Sequence, residues 1–135
     1  MGSERPSFPD IYLSLARSLA SRSTCVVGQV GTVITSVDFR QVLAVGYTGN
    51  ATGLPNRCDQ EGPDCGCLHA EENAIIHCEA PRTDPKIVFS TKFPCRACAK
   101  RLINLGGVQD LYAAEAGSQA TTDLLGSVGI RVYVL

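Results

Sequence analysis

Two short motifs constrain this chain of 135 residues more than any other feature, because each joins metal-binding residue types to the predicted start of a helix. The first is the His-Ala-Glu tripeptide at residues 69–71, inside the stretch CGCLHAEENAIIHC at residues 65–78. The second is the pentapeptide PCRAC at residues 94–98, whose C-x-x-C spacing places both sulfurs on one face of a first helical turn. Unpaired N–H groups and the helix dipole favour the thiolate there, which is the form of cysteine that binds zinc.

Two such helix starts that face each other would bring His69, Cys95 and Cys98 to one metal ion. One nitrogen and two sulfurs leave the fourth position of a tetrahedral zinc open for water, as in catalytic sites. Glu71 is predicted to take a proton from that water rather than to bind the metal. Each motif alone has another interpretation, since C-x-x-C also occurs in redox pairs and zinc knuckles, and HAE at exposed helix starts. Their joint occurrence in this order favours the zinc site.

Hydrophobic periodicity predicts an α/β architecture. Apolar residues at i, i+3, i+4 and i+7 indicate a first helix over about 10–21, and two β-rich runs ending near residues 36 and 47 form the simplest hairpin. Residues 46–66 hold five glycines and two prolines and are predicted to be a functional loop. The second half alternates helices and strands, which indicates parallel pairing. Its predicted elements are a helix at 68–80, strand KIVFS, a helix from Pro94 to Gly107, strand VQDLYAA, a helix near 118–126 and strand IRVYVL.

Composition narrows the class of protein. Twelve basic and 13 acidic side chains give a net charge of −1, and aromatic residues make up 6% with no tryptophan. Binding to a nucleic-acid polymer is therefore disfavoured. No apolar run approaches the ~18–20 residues needed to cross a bilayer, and the polar N-terminus lacks the order of a signal peptide. We expect a cytoplasmic protein with one domain over residues 1–135.

The pattern H-x-E followed by P-C-x-x-C is the signature of zinc-dependent nucleobase deaminases. From about Arg5 to Val134 the chain resembles the deoxycytidylate (dCMP) deaminases of the cytidine deaminase superfamily. The resemblance rests on RSTC followed by VGTVI, on AVGYTGNATGLPNRC, on CLHAEENAII and on PCRACAKRLINLGG. It implies a three-layer α/β/α sandwich whose five-stranded mixed sheet has its last two strands parallel. It also implies zinc on His69, Cys95 and Cys98, Glu71 as the proton shuttle, and homo-oligomers, commonly dimers or hexamers.

Two departures from the family leave the substrate open. The family usually has asparagine in its GYNG loop, where this chain has Thr48 and, two residues later, Asn50. The residue before the PCxxC proline is often small or polar, and here it is Phe93. The predicted substrate contacts are Tyr47, Thr48, Asn50, Ala70, Phe93 and Pro94, and the cations near the motifs that a 5′-phosphate would need are Arg22, Arg57, Lys92 and Arg96.

Four further cysteines suggest a second, structural zinc, which many members of the dCMP branch carry. Cys25, Cys58 and Cys65 fall where the thiols of that site are expected, and Cys67 is the nearest fourth ligand. A metal there would hold the long loop over the active site. The alternative is that some of these residues are buried free thiols. His77 and Cys78 are interpreted as packing or surface residues.

Three functions follow as hypotheses. The first is deamination of dCMP to dUMP with release of ammonia. The second is deamination of another amine-bearing base, in a nucleoside, a modified metabolite, single-stranded DNA or tRNA. The third is a non-catalytic, zinc-stabilised binding module, which the presence of Glu71 disfavours.

Overall fold

The computed structural model describes residues 4–135. Helices and strands follow one another in the order α1 (Phe8–Ala20), β1 (Gly31–Ser36), β2 (Val42–Tyr47), α2 (Ala70–His77), β3 (Lys86–Ser90), α3 (Arg96–Leu105), β4 (Val108–Ala113), α4 (Gln119–Ser127) and β5 (Arg131–Val134). Among these residues, none of the helices has the length and apolar character that crossing a bilayer requires.

The five strands form one mixed sheet in the order β2-β1-β3-β4-β5. Strand β1 pairs antiparallel with β2 and with β3, while β3, β4 and β5 run parallel to one another. Parallel neighbours need a crossover connection, which α3 and α4 provide. The predicted five-stranded sheet with its last two strands parallel is confirmed.

Helices cover both faces of the sheet. Helix α1 packs Leu13 and Ala16 against one face, and α2, α3 and α4 pack against the other. Successive strand residues point to opposite faces, so Val33 belongs to the α1 side and Ile34 to the side of the three helices. The predicted three-layer α/β/α sandwich is therefore confirmed.

The observed bounds of α1, α2 and α3 differ from the predicted ones. Helix α3 begins at Arg96 and not at the predicted Pro94, because Cys95 is its extended N-cap. Helix α1 begins two residues earlier than expected, because the Ser7 hydroxyl accepts a hydrogen bond from the Asp10 N–H at 3.2 Å and caps the helix there. Helix α2 is shorter than the predicted 68–80, since His69 is its extended N-cap and Cys78 leaves the helical conformation at its end. His69 and Glu71 thus lie at the first residues of the helix.

Gly46 allows α2 to lie directly on β2. A Cβ atom at this position would lie 2.5 Å from the Ala70 carbonyl oxygen and 2.5 Å from the Ala74 nitrogen, both backbone atoms that cannot move independently of the helix. The absence of a side chain therefore sets the height of the α2 N-terminus, and of His69 and Glu71 with it, above the sheet.

We expect Gly46→Ala to lower the free energy of unfolding by about 1–3 kcal/mol, because the added methyl group overpacks the contact between β2 and α2. Gly126→Ala is the matched control: Gly126 lies within α4 and a Cβ there meets nothing within 4 Å. That substitution should raise the free energy of unfolding by up to about 1 kcal/mol, the difference in helix propensity. Urea unfolding measures both, and equal values for the two variants would contradict the close contact.

Candidate functional site

The first candidate metal centre lies where the N-termini of α2 and α3 meet. His69 is the N-cap residue of α2, Cys95 is the N-cap residue of α3, and Cys98 lies in the first turn of α3. His69 Nδ1 lies 3.2 Å from Cys98 Sγ and 3.7 Å from Cys95 Sγ. All three ligand atoms lie within 4.8 Å of one another.

These separations are close to those around one tetrahedral zinc ion. Imidazole nitrogen and thiolate sulfur bind zinc at about 2.0–2.3 Å, which places two such donors roughly 3.5–3.8 Å apart. The 3.7 Å contact lies in this range, and the 3.2 Å contact is shorter. The set of one nitrogen and two sulfurs suits zinc and leaves room for a fourth ligand. Cys98 is buried and Cys95 is exposed, so the cluster has a closed side in the core and an open side facing solvent. Burial, with the neighbouring charges of Glu71 and Cys95, raises the pKa of the Cys98 thiol.

Glu71 lies beside this cluster without joining it. Its oxygens are not part of the group whose ligand atoms all lie within 4.8 Å of one another. The side chain is 4% exposed and lines the same cavity as His69 and Cys95. Burial raises the pKa of the Glu71 carboxyl above the ordinary value for glutamate. A buried carboxyl at the rim of a metal cluster can both accept and donate a proton.

The second candidate metal centre brings four cysteines together. Cys25 Sγ lies 3.7 Å from Cys65 Sγ and 3.7 Å from Cys58 Sγ, and Cys67 Sγ lies 3.6 Å from Cys58 Sγ. Four sulfurs on one tetrahedral zinc are about 3.8 Å apart when each lies about 2.3 Å from the ion. Hereafter these four residues are called the tetracysteine cluster. Among residues 4–135, Cys78 is the cysteine outside both centres, and it is partly buried at the end of α2.

Backbone amides lie against the sulfurs of Cys25 and Cys58 in the tetracysteine cluster. Burial raises the pKa of the Cys25 thiol, but hydrogen bonds from the Gly28 and Val27 backbone and from the Cys67 and Cys58 thiols outweigh it, and that pKa falls to about 7. Burial and the neighbouring thiols instead raise the pKa of the Cys67 thiol. The Val26 N–H donates to Cys58 Sγ at 3.5 Å. A segment that turns its N–H groups toward a sulfur stabilises the thiolate, which is the form that a metal needs.

One cavity of about 450 Å³ connects the two centres. His69, Glu71 and Cys95 lie along one part of its wall, and the cysteines at positions 25, 65 and 67 lie along another. Of the four predicted cations, Lys92 lines this cavity, whereas Arg22, Arg57 and Arg96 are not part of its wall.

The predicted substrate contacts divide between two cavities. Thr48, Ala70 and Phe93 line the cavity at the metal centres, whereas Pro94 is buried and is not part of its wall. Tyr47 and Asn50 instead line a smaller cavity of about 160 Å³, together with Asn73 and His77.

Thr48 and Asn50 also have structural partners. The Thr48 N–H donates to the Val30 carbonyl at 3.0 Å, and its hydroxyl accepts from the Val30 N–H at 3.1 Å. The Asn50 side-chain amide donates to the Arg57 carbonyl at 3.0 Å and to Asp59 Oδ1 at 2.8 Å. Asn50 thereby organises the loop that leads to Cys58.

Glu72 is a site residue that the two motifs did not predict. Its Oε1 accepts a hydrogen bond from the His69 backbone N–H at 2.9 Å, and its Oε2 lies 3.4 Å from Arg101 Nε on α3. The signal was present in the sequence, because an acid three residues after an N-cap residue is the spacing of a capping box.

Comparison with known proteins assigns the family. Residues 7–115 match the model of the cytidine and deoxycytidylate deaminase zinc-binding region. The chain belongs to this deaminase family. The matched region includes residues 69–71 and 94–98. The first metal centre therefore lies within the family's zinc-binding region.

Two relatives and one solved structure are similar to this deaminase-family chain over most of its length. It is 29% identical to the deoxycytidylate deaminase of Schizosaccharomyces pombe over 95% of this chain and 44% of that protein, so it spans less than half of that relative's length. It is 28% identical to the deoxycytidylate deaminase of Mycobacterium phage D29 over 83% of this chain and 98% of the phage protein. It also resembles the crystal structure of the dCMP deaminase from cyanophage S-TIM5 in complex with dCMP and dUMP, with a TM-score of 0.82 and 26% identity over 98% of this chain and 99% of the other.

Proposed function

We propose that this chain catalyses the zinc-dependent hydrolytic deamination of dCMP to dUMP, with release of ammonia. The observation that carries the proposal is the cluster of His69, Cys95 and Cys98 at the wall of a cavity that also contains the buried Glu71. The names of the yeast and phage relatives and the dCMP and dUMP bound to the cyanophage enzyme support the choice of substrate.

The residues of the first metal centre divide the chemistry between them. His69, Cys95 and Cys98 would hold a zinc ion, which would supply a Lewis acid that lowers the pKa of a water molecule. Glu71 accepts a proton from the water that attacks C4 of the cytosine and delivers it to the ring nitrogen N3. Glu71 then takes the proton of the new hydroxyl group at C4 and gives it to the 4-amino group, so the bond from C4 to nitrogen breaks, ammonia leaves and the carbonyl group of dUMP remains at C4. The raised pKa of Glu71 suits a group that must hold a proton between these two transfers.

The residues that line the cavity suit a pyrimidine nucleotide. Phe93 and Ala70 contribute apolar surface for the base, and Thr48 adds a hydroxyl group whose oxygen also accepts from Val30. Lys92 is an exposed cation on the same cavity wall, and we propose that it faces the 5′-phosphate.

We also propose that the tetracysteine cluster holds a structural zinc ion. Residues 51–64 are exposed throughout except for the partly buried Cys58, so this stretch has almost no apolar core of its own. A metal ion shared with Cys25, Cys65 and Cys67 would fix the loop as one wall of the substrate cavity.

We further propose that the chain acts as one domain in the cytoplasm and assembles as a homo-oligomer. Strand β2 lies at the edge of the sheet and, with α2, exposes apolar side chains that a second copy would cover. These side chains are Val42, Val45 and Ile76.

Ammonia release from dCMP, CMP, deoxycytidine, cytidine and a cytosine-containing oligonucleotide tests the proposed reaction, and we expect dCMP to be deaminated fastest. Glu71→Gln should lower kcat by about 10²–10⁴-fold, because the proton acceptor is lost. Zinc content should stay at the wild-type level, since Glu71 is not a ligand. Glu79→Gln, a change at an exposed acid beyond α2, is the control and should leave kcat unchanged. Absence of ammonia from every substrate, or loss of zinc together with activity in Glu71→Gln, would overturn the proposal.

Lys92→Gln should raise KM for dCMP by about tenfold, equivalent to roughly 1.4 kcal/mol of binding free energy. The KM for deoxycytidine should stay the same, because that substrate has no phosphate. Lys100→Gln removes an exposed cation from α3 that lies outside the cavity wall and serves as the control. Equal changes in KM for the two substrates would show that Lys92 does not recognise the phosphate.

Elemental analysis should find two zinc ions per chain. Cys58→Ser should remove one and leave the other, and Cys98→Ser should do the same at the other centre, because the two clusters share no ligand. Native mass spectrometry would show how many zinc ions each variant retains. A wild-type count of one, unaffected by Cys58→Ser, would mean that the tetracysteine cluster consists of free thiols.

A further inference from the structure

We propose that Glu72 and Arg101 form a positioning pair that holds the two helices of the first metal centre in register and thereby slows release of its metal. The proposal rests on the proposed zinc site. Neither residue is a metal ligand, and neither lines the cavity at the metal centres.

One carboxylate joins the two halves of the metal centre. Glu72 Oε1 accepts the hydrogen bond from the His69 backbone N–H at 2.9 Å, and so fixes the backbone of the one nitrogen ligand. Glu72 Oε2 lies 3.4 Å from Arg101 Nε on the other helix. The chain of contacts therefore runs from the His69 backbone through Glu72 to α3.

Arg101 lies on the same face of α3 as a sulfur ligand. It follows Cys98 by three residues, and residues three apart in a helix are neighbours on its surface. The pair therefore spans the two helices within one turn of the contact between His69 Nδ1 and Cys98 Sγ, which is 3.2 Å long. A sliding movement of α2 along α3 would lengthen that contact and the ion pair together.

Apolar packing between the helices is not directional. The core side chains of α2 and α3 are those of Ala74, Ala99 and Leu102, with Ile75, Ile103 and Leu105 packed against them. The pair between Glu72 and Arg101 adds a directional contact to this packing.

The ion pair is partly shielded from solvent. The Glu72 side chain is 20% exposed and the Arg101 side chain is 48% exposed. Pairs of this kind contribute little to overall stability. Their effect on a metal centre is larger, because groups that orient the ligands typically change metal affinity by about 10–100-fold. We therefore expect the pair to act on metal release more than on unfolding.

The test uses the full chain loaded with Co²⁺, whose visible absorption bands distinguish a site with one nitrogen and two sulfurs from a site with four sulfurs. The variants are Glu72→Ala, Glu72→Gln, Arg101→Met and the double variant Glu72→Ala with Arg101→Met. Lys100→Met, a change at the exposed cation next to Arg101, is the control. The rate of Co²⁺ loss from the nitrogen-containing site to an excess of chelator is measured for each, together with its urea unfolding curve.

Glu72→Ala and Arg101→Met should each raise the rate of Co²⁺ loss by about tenfold or more. Glu72→Gln keeps an acceptor for the His69 N–H but loses the charge opposite Arg101, so its rate should lie between wild type and Glu72→Ala. The double variant should lose Co²⁺ about as fast as Glu72→Ala, because both single changes break one connection. Lys100→Met should match wild type.

The proposal would be overturned if folded Glu72→Ala and Arg101→Met lose Co²⁺ at the wild-type rate. It would also be overturned if the fold-increase in the rate of Co²⁺ loss of the double variant equals the product of the fold-increases of the two single variants. Failure of the proposed function has a different signature, namely a wild-type chain that binds no Co²⁺ at the nitrogen-containing site or releases no ammonia from any substrate. The ratio of variant to wild-type rates does not depend on turnover, so the two failures are separable.

Discussion

The meeting of two helix N-termini is the constraint on which the rest of the site depends. His69 caps α2, and Cys95 caps α3, so both donor groups sit where backbone N–H groups are unpaired and where the helix dipoles are positive. Both ends lie near the carboxyl end of β3, the edge at which open α/β sheets place their ligands. The two helices can reach this place because Gly46 lets α2 lie close to β2 and because parallel pairing of β3 with β4 sets the direction of α3.

The long loop before α2 has clustered cysteines where other parts of the chain have a hydrophobic core. The main sheet is covered on both faces, but the long loop before α2 buries little, and its residues Cys58, Cys65 and Cys67 lie against Cys25. That loop forms part of the cavity wall beside Glu71. The tetracysteine cluster and the cavity beside Glu71 therefore share part of one loop, although the two clusters have no ligand in common.

Much of the architecture was predictable because it follows from local patterns. β-Rich runs indicated the strands, and the order of strands and helices indicated the parallel half of the sheet. Motif spacing placed His69 with Cys95 and Cys98. The positions of Tyr47 and Asn50 were less predictable. Neighbouring residues in extended backbone point to opposite sides, so Tyr47 and Thr48 cannot both face one cavity, and the sequence alone does not say which one does. The contact between Glu72 and Arg101 depends on how two helices pack, which no spacing within either helix determines.

The most direct test of the central claim is an anomalous difference map from crystals of this chain, recorded at the zinc absorption edge. The predicted result is a strong peak surrounded by His69 Nδ1, Cys95 Sγ and Cys98 Sγ, with the Glu71 carboxyl group beside its open side and outside its ligands. A map with no peak at that position, in crystals grown with zinc and with the three side chains pointing away from one another, would contradict it.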